Sequence, residues 1–151
     1  TFNTHSNTGN YIIYWGDGTS TVTSATNPSK TYATAGTYTI TVVGPMGGLG
    51  FFGDARVSEL MSVERWGNVA FTSMDRAFFN ATNLRINAAD TPDLRNVTNM
   101  ESTFRNATSL GNVNLSNWNT SNVTSMHAIF MDNTTFSGDI SGWNTANVTR
   151  L

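Results

Sequence analysis

From about residue 56 to residue 151 the apolar positions recur with a single long period. Met74, Met100 and Met126 lie 26 residues apart, and so do Phe78, Phe104 and Phe130. Trp66, Pro92, Trp118 and Trp143 fall into one column, with one residue dropped in the last interval. Further columns are Phe71, Val97, Val123 and Val148; Leu84, Leu110 and Phe136; and Val63, Ala89, Leu115 and Ile140. Leu151 ends the methionine column. The polar residues repeat with them: Trp118-Asn119-Thr120-Ser121-Asn122-Val123-Thr124 returns at 143 with Ala146 in place of Ser121. A period in the twenties marks a solenoid, in which one repeat buries its apolar face only against the next. Burial of one such side chain contributes about 1.5–3 kcal/mol. The pattern predicts short strands near 84–87, 112–116 and 138–141. It predicts a helical turn after each methionine, because Met and Phe four apart share one helix face. Residues 56–65 fit a helical period at Val57, Leu60, Met61 and Glu64. Register with the later repeats favours a strand over 60–63.

Ahead of the repeats the pattern changes to period two. Residues 1–10 are polar and read as a loop. Residues 11–15 (Tyr-Ile-Ile-Tyr-Trp) are β-branched and aromatic, hence a strand. Gly16-Asp17-Gly18 is a hairpin signal, because Asp-Gly suits a tight turn with positive φ. Residues 19–24 form an exposed second strand. Residues 37–43 alternate, with Tyr38, Ile40 and Val42 on one face, and predict a half-buried strand. Residues 44–50 are a Gly/Pro-rich connector, and 49–52 read as one more short strand.

Composition narrows the function classes. Charged residues make up 12% of the 151, well below the roughly 25% usual in soluble domains. There are 19 Asn and 24 Thr, so amides and hydroxyls replace charge as surface and turn chemistry. Net charge is −2 and Lys30 is the only lysine, which argues against nucleic acid and anionic membranes as partners. The absence of cysteine removes disulfides, thiolate catalysis and cysteine metal sites. No apolar run is long enough for a transmembrane helix, and no signal peptide is visible. The chain starts at Thr1 and ends inside a repeat, which suggests a processed piece of something longer.

Two stretches carry a resemblance. Trp15-Gly16-Asp17-Gly18-Thr19, followed by Thr31-Tyr32-Ala33-Thr34-Ala35-Gly36-Thr37-Tyr38, resembles the polycystic-kidney-disease (PKD) type of immunoglobulin-like β-sandwich. About 50 residues are few for seven strands, and Lys30 stands where such domains often carry His, so a truncated sandwich is expected. The remainder resembles the BspA-like surface proteins, whose 26-residue leucine-rich-type repeats read roughly W-D-T-S-N-V-T-x-M-x-x-M-F. Asn119 and Asn144 stand where that family usually has Asp. The resemblance implies a mainly β chain with short helical turns. Residues 1–53 would be a small PKD-like β-sandwich segment, and 54–151 a right-handed leucine-rich-repeat-type solenoid of three to four coils.

Candidate chemistry is sparse. His5 lies in a loop, and His127 holds a polar, variable column position shared with Asp75 and Glu101. Asp17 caps its own hairpin. Asp90 and Asp93 flank Pro92 as loop carboxylates. No carboxylate pair, nucleophile elbow or phosphate loop is present. No catalytic, metal or cofactor residue is therefore expected, and the chain is not read as an enzyme. The Asn-x-Thr/Ser motifs are explained by repetition, as columns (Asn80, Asn106, Asp132 and Asn96, Asn122, Asn147) that bond turn backbone between repeats. Thr98, Thr124 and Thr149 form a ladder that raises ice or polysaccharide binding as a weaker idea.

The resemblance points to an extracellular, cell-surface or appendage-surface module that binds a protein or glycan partner through one solenoid face. The alternative is a structural subunit or decoration domain of a virion, pilus or filament, with identical copies as partners. A recurring Trp fills a space that recurs, so Trp118 and Trp143 read as packing. The polar residues beside them, Asn117, Asn119, Thr120, Ser121, Asn144 and Thr145, are the predicted binding surface.

Overall fold

The N-terminal part is built on the Asp-Gly hairpin. A computed structural model of the chain describes residues 3–4, 9–51 and 56–151. Strand β1 is Asn3–Thr4, β2 is Tyr11–Tyr14 and β3 is Ser20–Thr23. Gly16 and Gly18 take positive φ, and the Asp17 carboxylate accepts from the Thr19 backbone N–H at 3.0 Å. The Thr19 hydroxyl and the Lys30 ammonium join that carboxylate and hold its pKa down to about 2. Strand β4, Thr41–Val43, pairs with the other edge of β2, giving an antiparallel sheet of order β3-β2-β4. Tyr11, Ile13 and Trp15 alternate inward and are buried, whereas Tyr14, Val22 and Val43 are exposed. The β4 strand is shorter than the predicted 37–43, and Ile40 is exposed. The last β2–β4 pair is Tyr14 with Thr41, and β2 then turns away into the hairpin, so 37–40 have no partner. Tyr38 instead stacks on Tyr32, with ring centroids 3.9 Å apart.

The polar start of the chain is not wholly a loop. Asn3 and Thr4 pair antiparallel with Gly50 and Leu49 of β5, Leu49–Gly50. The other residues of 1–8 lie outside the described residues, as do Phe52 and the expected boundary at 53/54.

The repeats are joined by hydrogen bonds between chain segments about 25 residues apart. A 3-10 turn at Val57–Glu59 precedes β6, Ser62–Val63, which pairs in parallel with β7, Arg85–Ile86. Both readings of residues 56–65 therefore hold in part. Single parallel bridges join Asn99 to Ser125, Asn114 to Asp139 and Ser125 to Arg150.

The segments after the methionines are not helical. In an α-helix every interior N–H bonds four residues back along the same segment. Here the odd N–H groups bond three back, Ala77 to Met74, Phe79 to Arg76 and Ala81 to Phe78. The even ones point sideways: Met74, Arg76, Phe78 and Asn80 donate to the carbonyls of Asn99, Glu101, Thr103 and Arg105 at 2.9–3.0 Å. The row recurs as Met100, Ser102, Phe104 and Asn106 donating to Ser125, His127, Ile129 and Met131. Consecutive turns thus release alternate backbone donors to the next repeat. This needs a left-handed residue every fourth position, and Arg76, Asn80, Ser102, Asn106, Ala128 and Asp132 all have φ of 51–64°. Asn and Asp tolerate that region best among non-glycine residues, which accounts for the column Asn80, Asn106, Asp132. The other Asn column works as tethers: Asn122 Nδ2 donates to the Arg95 carbonyl and Asn147 Nδ2 to that of Ser121, both at 2.7 Å.

The apolar columns meet between these layers. Phe71, Met74, Phe78, Leu84, Val97, Met100, Phe104, Leu110, Leu115, Val123 and Met126 are all buried. Phe104 lies between Phe78 and Phe130, stacked at 5.6 and 5.7 Å. Three column members depart from the expected inward ladder. Ala89 is exposed because Val63 pairs with Ile86 instead, and Ala88 packs on the core. Ile140 and Leu151 are 38% and 84% exposed. Leu49, Phe51 and Val69 pack against both this core and that of the N-terminal sheet. A bridge from Gly48 to Ser73 joins the two parts.

One close approach sets a local sequence requirement. A Cβ at Gly142 would overlap the Ser116 carbonyl of the preceding repeat. Gly142→Ala should therefore force the backbones apart and cost about 1–3 kcal/mol, read as a lower midpoint of thermal unfolding. An unchanged midpoint would show that the layers slide freely at this point.

Candidate functional site

The residues beside the tryptophan column are positioned by one recurring turn. Asp93, Asn119 and Asn144 follow Pro92, Trp118 and Trp143. The side-chain oxygen of each accepts from the backbone N–H two residues on, at Arg95, Ser121 and Ala146, at 2.9–3.2 Å. Either Asn or Asp can close such a turn, so the neutral residues at 119 and 144 keep its geometry while removing charge. At Asp93 the charge remains. The Arg95 guanidinium, 2.8 Å away, and its backbone N–H hold that carboxyl below the usual range.

Of the six residues predicted for the binding surface, Asn117, Asn119, Asn144 and Thr145 are exposed and Ser121 is half-buried. Thr120 is the correction. It is only 1% exposed, its hydroxyl accepts from the Asn144 N–H at 2.9 Å, and it donates to the Asn144 carbonyl at 3.1 Å. Its side chain joins two repeats and is unavailable to a partner. That same link places residues 119–121 beside Asn144 and Thr145, so the remaining five share one surface region. The tryptophans are packing, as expected: Trp66 and Trp118 are buried and Trp143 is half-buried.

A groove of about 660 Å³ opens on the neighbouring face. It is bounded by residues 85–91 and 108–114, with Trp66, Asn117 and Trp118 contributing. Only Asn117 among the predicted surface residues lines it. Nothing in the sequence marks the other groove residues as a binding surface, because residues 85–91 and 108–114 share no conspicuous phrase. The available signal was the repeated run of short polar side chains on either side of the strand positions.

Asp90, read above as a loop carboxylate, holds the groove's upper repeat. Its oxygens accept from the backbone N–H groups of Trp66 at 3.0 Å and Gly67 at 2.8 Å. These bonds, Trp66 first, lower its pKa. A carboxyl with a depressed folded pKa stabilises above its unfolded value, and that contribution is lost as pH falls through the folded value. Asp90→Asn should therefore lower the unfolding midpoint by a constant amount from pH 7 to 5, with the gap closing below about pH 4. A gap independent of pH down to 2 would refute the assignment.

His127 is exposed with Nδ1 3.1 Å from the Leu151 carbonyl, and His5 lies outside the described residues. Among the described residues no three His, Cys, Asp or Glu side chains converge as a metal site, and no helix is long and apolar enough to cross a membrane. The threonine ladder is exposed and bonded from one repeat to the next. Thr124 and Thr149 hydroxyls donate to the Thr98 and Thr124 carbonyls at 3.1 and 3.2 Å.

No curated protein and no solved structure shows a significant match to the chain. A protein family does match, one described as "Mycoplasma protein of unknown function, DUF285". The match runs over residues 72–151, the stretch that contains the recurring turns, the tryptophan column from Pro92 onward and all of the groove lining except Trp66. Since that is more than half of the 151 residues, the chain belongs to the DUF285 family.

Proposed function

We propose that the chain is an extracellular or cell-surface binding module and performs no catalysis. On this reading residues 54–151 form a right-handed leucine-rich-repeat-type solenoid, and residues 1–53 a reduced PKD-like β segment that leads into it. A protein or glycan partner meets the face carrying Asn117, Asn119, Ser121, Asn144 and Thr145. The observation that carries the reading is the pairing of buried and exposed positions. Successive repeats bury the tryptophan column and leave uncharged amides and hydroxyls beside it. Repeat proteins recognise partners through such equivalent positions, and short neutral groups favour weak contacts that add by multivalency. Membership of a family associated with surface proteins is compatible with this role.

The test is binding of the full chain to arrays of immobilised extracellular proteins and glycans. Asn119→Ala with Asn144→Ala should reduce binding about tenfold or more. Each substitution removes one turn hydrogen bond, worth about 0.5–1.5 kcal/mol, so the variant should remain folded. Unchanged binding by a folded double variant would remove this face from consideration.

A further inference from the structure

The groove of about 660 Å³ falls within the range of volumes that hold small ligands. Its chemistry is nearly neutral. Among the described residues, Arg85 and Asp90 are the only charged ones lining it, and the Asp90 carboxylate is already occupied by the backbone N–H groups of Trp66 and Gly67. The side-chain amides of Asn112 and Asn117 line the groove, are exposed, and make no hydrogen bond among the described residues. Each offers two donors and an acceptor. Trp66 and Trp118 line the same space, with ring centroids 5.3 Å apart. The buried indole N–H of Trp66 has no acceptor among the described residues. Trp143, by contrast, donates its indole N–H to the Leu115 carbonyl of the preceding repeat at 2.8 Å. Trp66 is the first of its column, and no earlier repeat supplies such a carbonyl.

We propose that this groove binds a neutral oligosaccharide, whose hydroxyls pair with the Asn112 and Asn117 amides and with the unpaired indole N–H of Trp66. Free neutral amides, which both donate and accept, match a ligand dense in hydroxyls. An acidic glycan finds one arginine and a carboxylate here, which gives it no net attraction. A peptide would need an open strand edge or an apolar anchor pocket. The larger apolar residues at this place are held by the core: Trp66, Leu110 and Trp118 are buried, and Ile86 and Val113 pack half-buried against it. A sugar hydroxyl pressed on Trp66 supplies the missing acceptor once the ring shifts to uncover its N–H. The inference rests on the surface-binding reading and adds a site and a ligand class to it.

The experiment is an NMR titration of the full chain, following the side-chain amides and indole N–H signals. The probes are cellohexaose, maltohexaose and mannohexaose, with sialyllactose, a heparin hexasaccharide and a neutral hexapeptide as comparisons. At least one neutral hexasaccharide should shift the Asn112, Asn117 and Trp66 signals, with little dependence on salt. Asn112→Ala with Asn117→Ala should weaken that binding about tenfold or more, about 1.4 kcal/mol. Neither amide bonds within the chain, so the unfolding midpoint should stay unchanged. Failure of all three neutral sugars to shift these signals overturns the proposal. So does a shift produced only by the acidic glycans or only by the peptide. Array binding that is lost in the Asn119/Asn144 double variant while the groove signals stay silent overturns the groove alone. Silence in both experiments overturns the surface-binding reading as well.

Discussion

Trp118→Ala should lower stability by about 3–5 kcal/mol, the range for removing a buried large aromatic side chain. The ring is 3% exposed and touches three others: Trp66 edge-on at 5.3 Å, Phe104 at 5.7 Å and Trp143 at 6.5 Å, with Trp66 in turn against Phe71 and Phe78. Pro92 occupies the column between Trp66 and Trp118, and its small ring lets the two indoles meet across it. No neighbouring side chain is free to refill the space, because the layers above and below are fixed by backbone bonds. Chemical denaturation of the purified variant measures the loss. A Trp118→Ala protein as stable as the parent, yet unable to bind any partner, would mean that the column is a recognition surface and not packing.

Phe104→Ala should cost a similar 3–5 kcal/mol, and more than Phe130→Ala. The two residues hold equivalent positions in successive repeats, but Phe104 is fully buried with a ring stacked on each side, whereas Phe130 is half-buried. In a nearest-neighbour stack, loss of a central layer breaks two interfaces and loss of a terminal one breaks fewer. Equal costs for the two substitutions would show that the repeats do not share load through the ring column. Hydrogen exchange provides a second readout. The N–H groups of Phe78 and Phe104, which cross between layers, should lose protection together in the Phe104 variant.

The apolar columns were legible because the same residue type returns at the same interval, and one space recurs with it. Met74, Met100 and Met126 are buried for that reason alone. The helical turn expected after each of them was not, because Met and Phe four apart share a face in a helix and also in a string of turns. The sequence did contain a discriminating sign: Asn80, Asn106 and Asp132 mark a position that tolerates left-handed φ, which a continuous helix would not need. Of the six residues predicted for the binding surface, Thr120 is the one that the fold buries. A short hydroxyl side chain is equally suited to solvent and to bridging two backbones, and only the Asn144 backbone beside it distinguishes the two.

By itself, then, the sequence determined the period, the identity of the inward columns and the chemistry of the turns, all of which depend on intervals along one chain. The tertiary structure decided where alternate backbone N–H groups go, which member of the Val63 column faces out, and that residues 85–91 and 108–114 enclose a groove. Those depend on what lies one layer away. Val63 pairs with Ile86 and leaves Ala89 exposed because hydrogen-bond register between layers, rather than spacing within a repeat, selects which side chains meet.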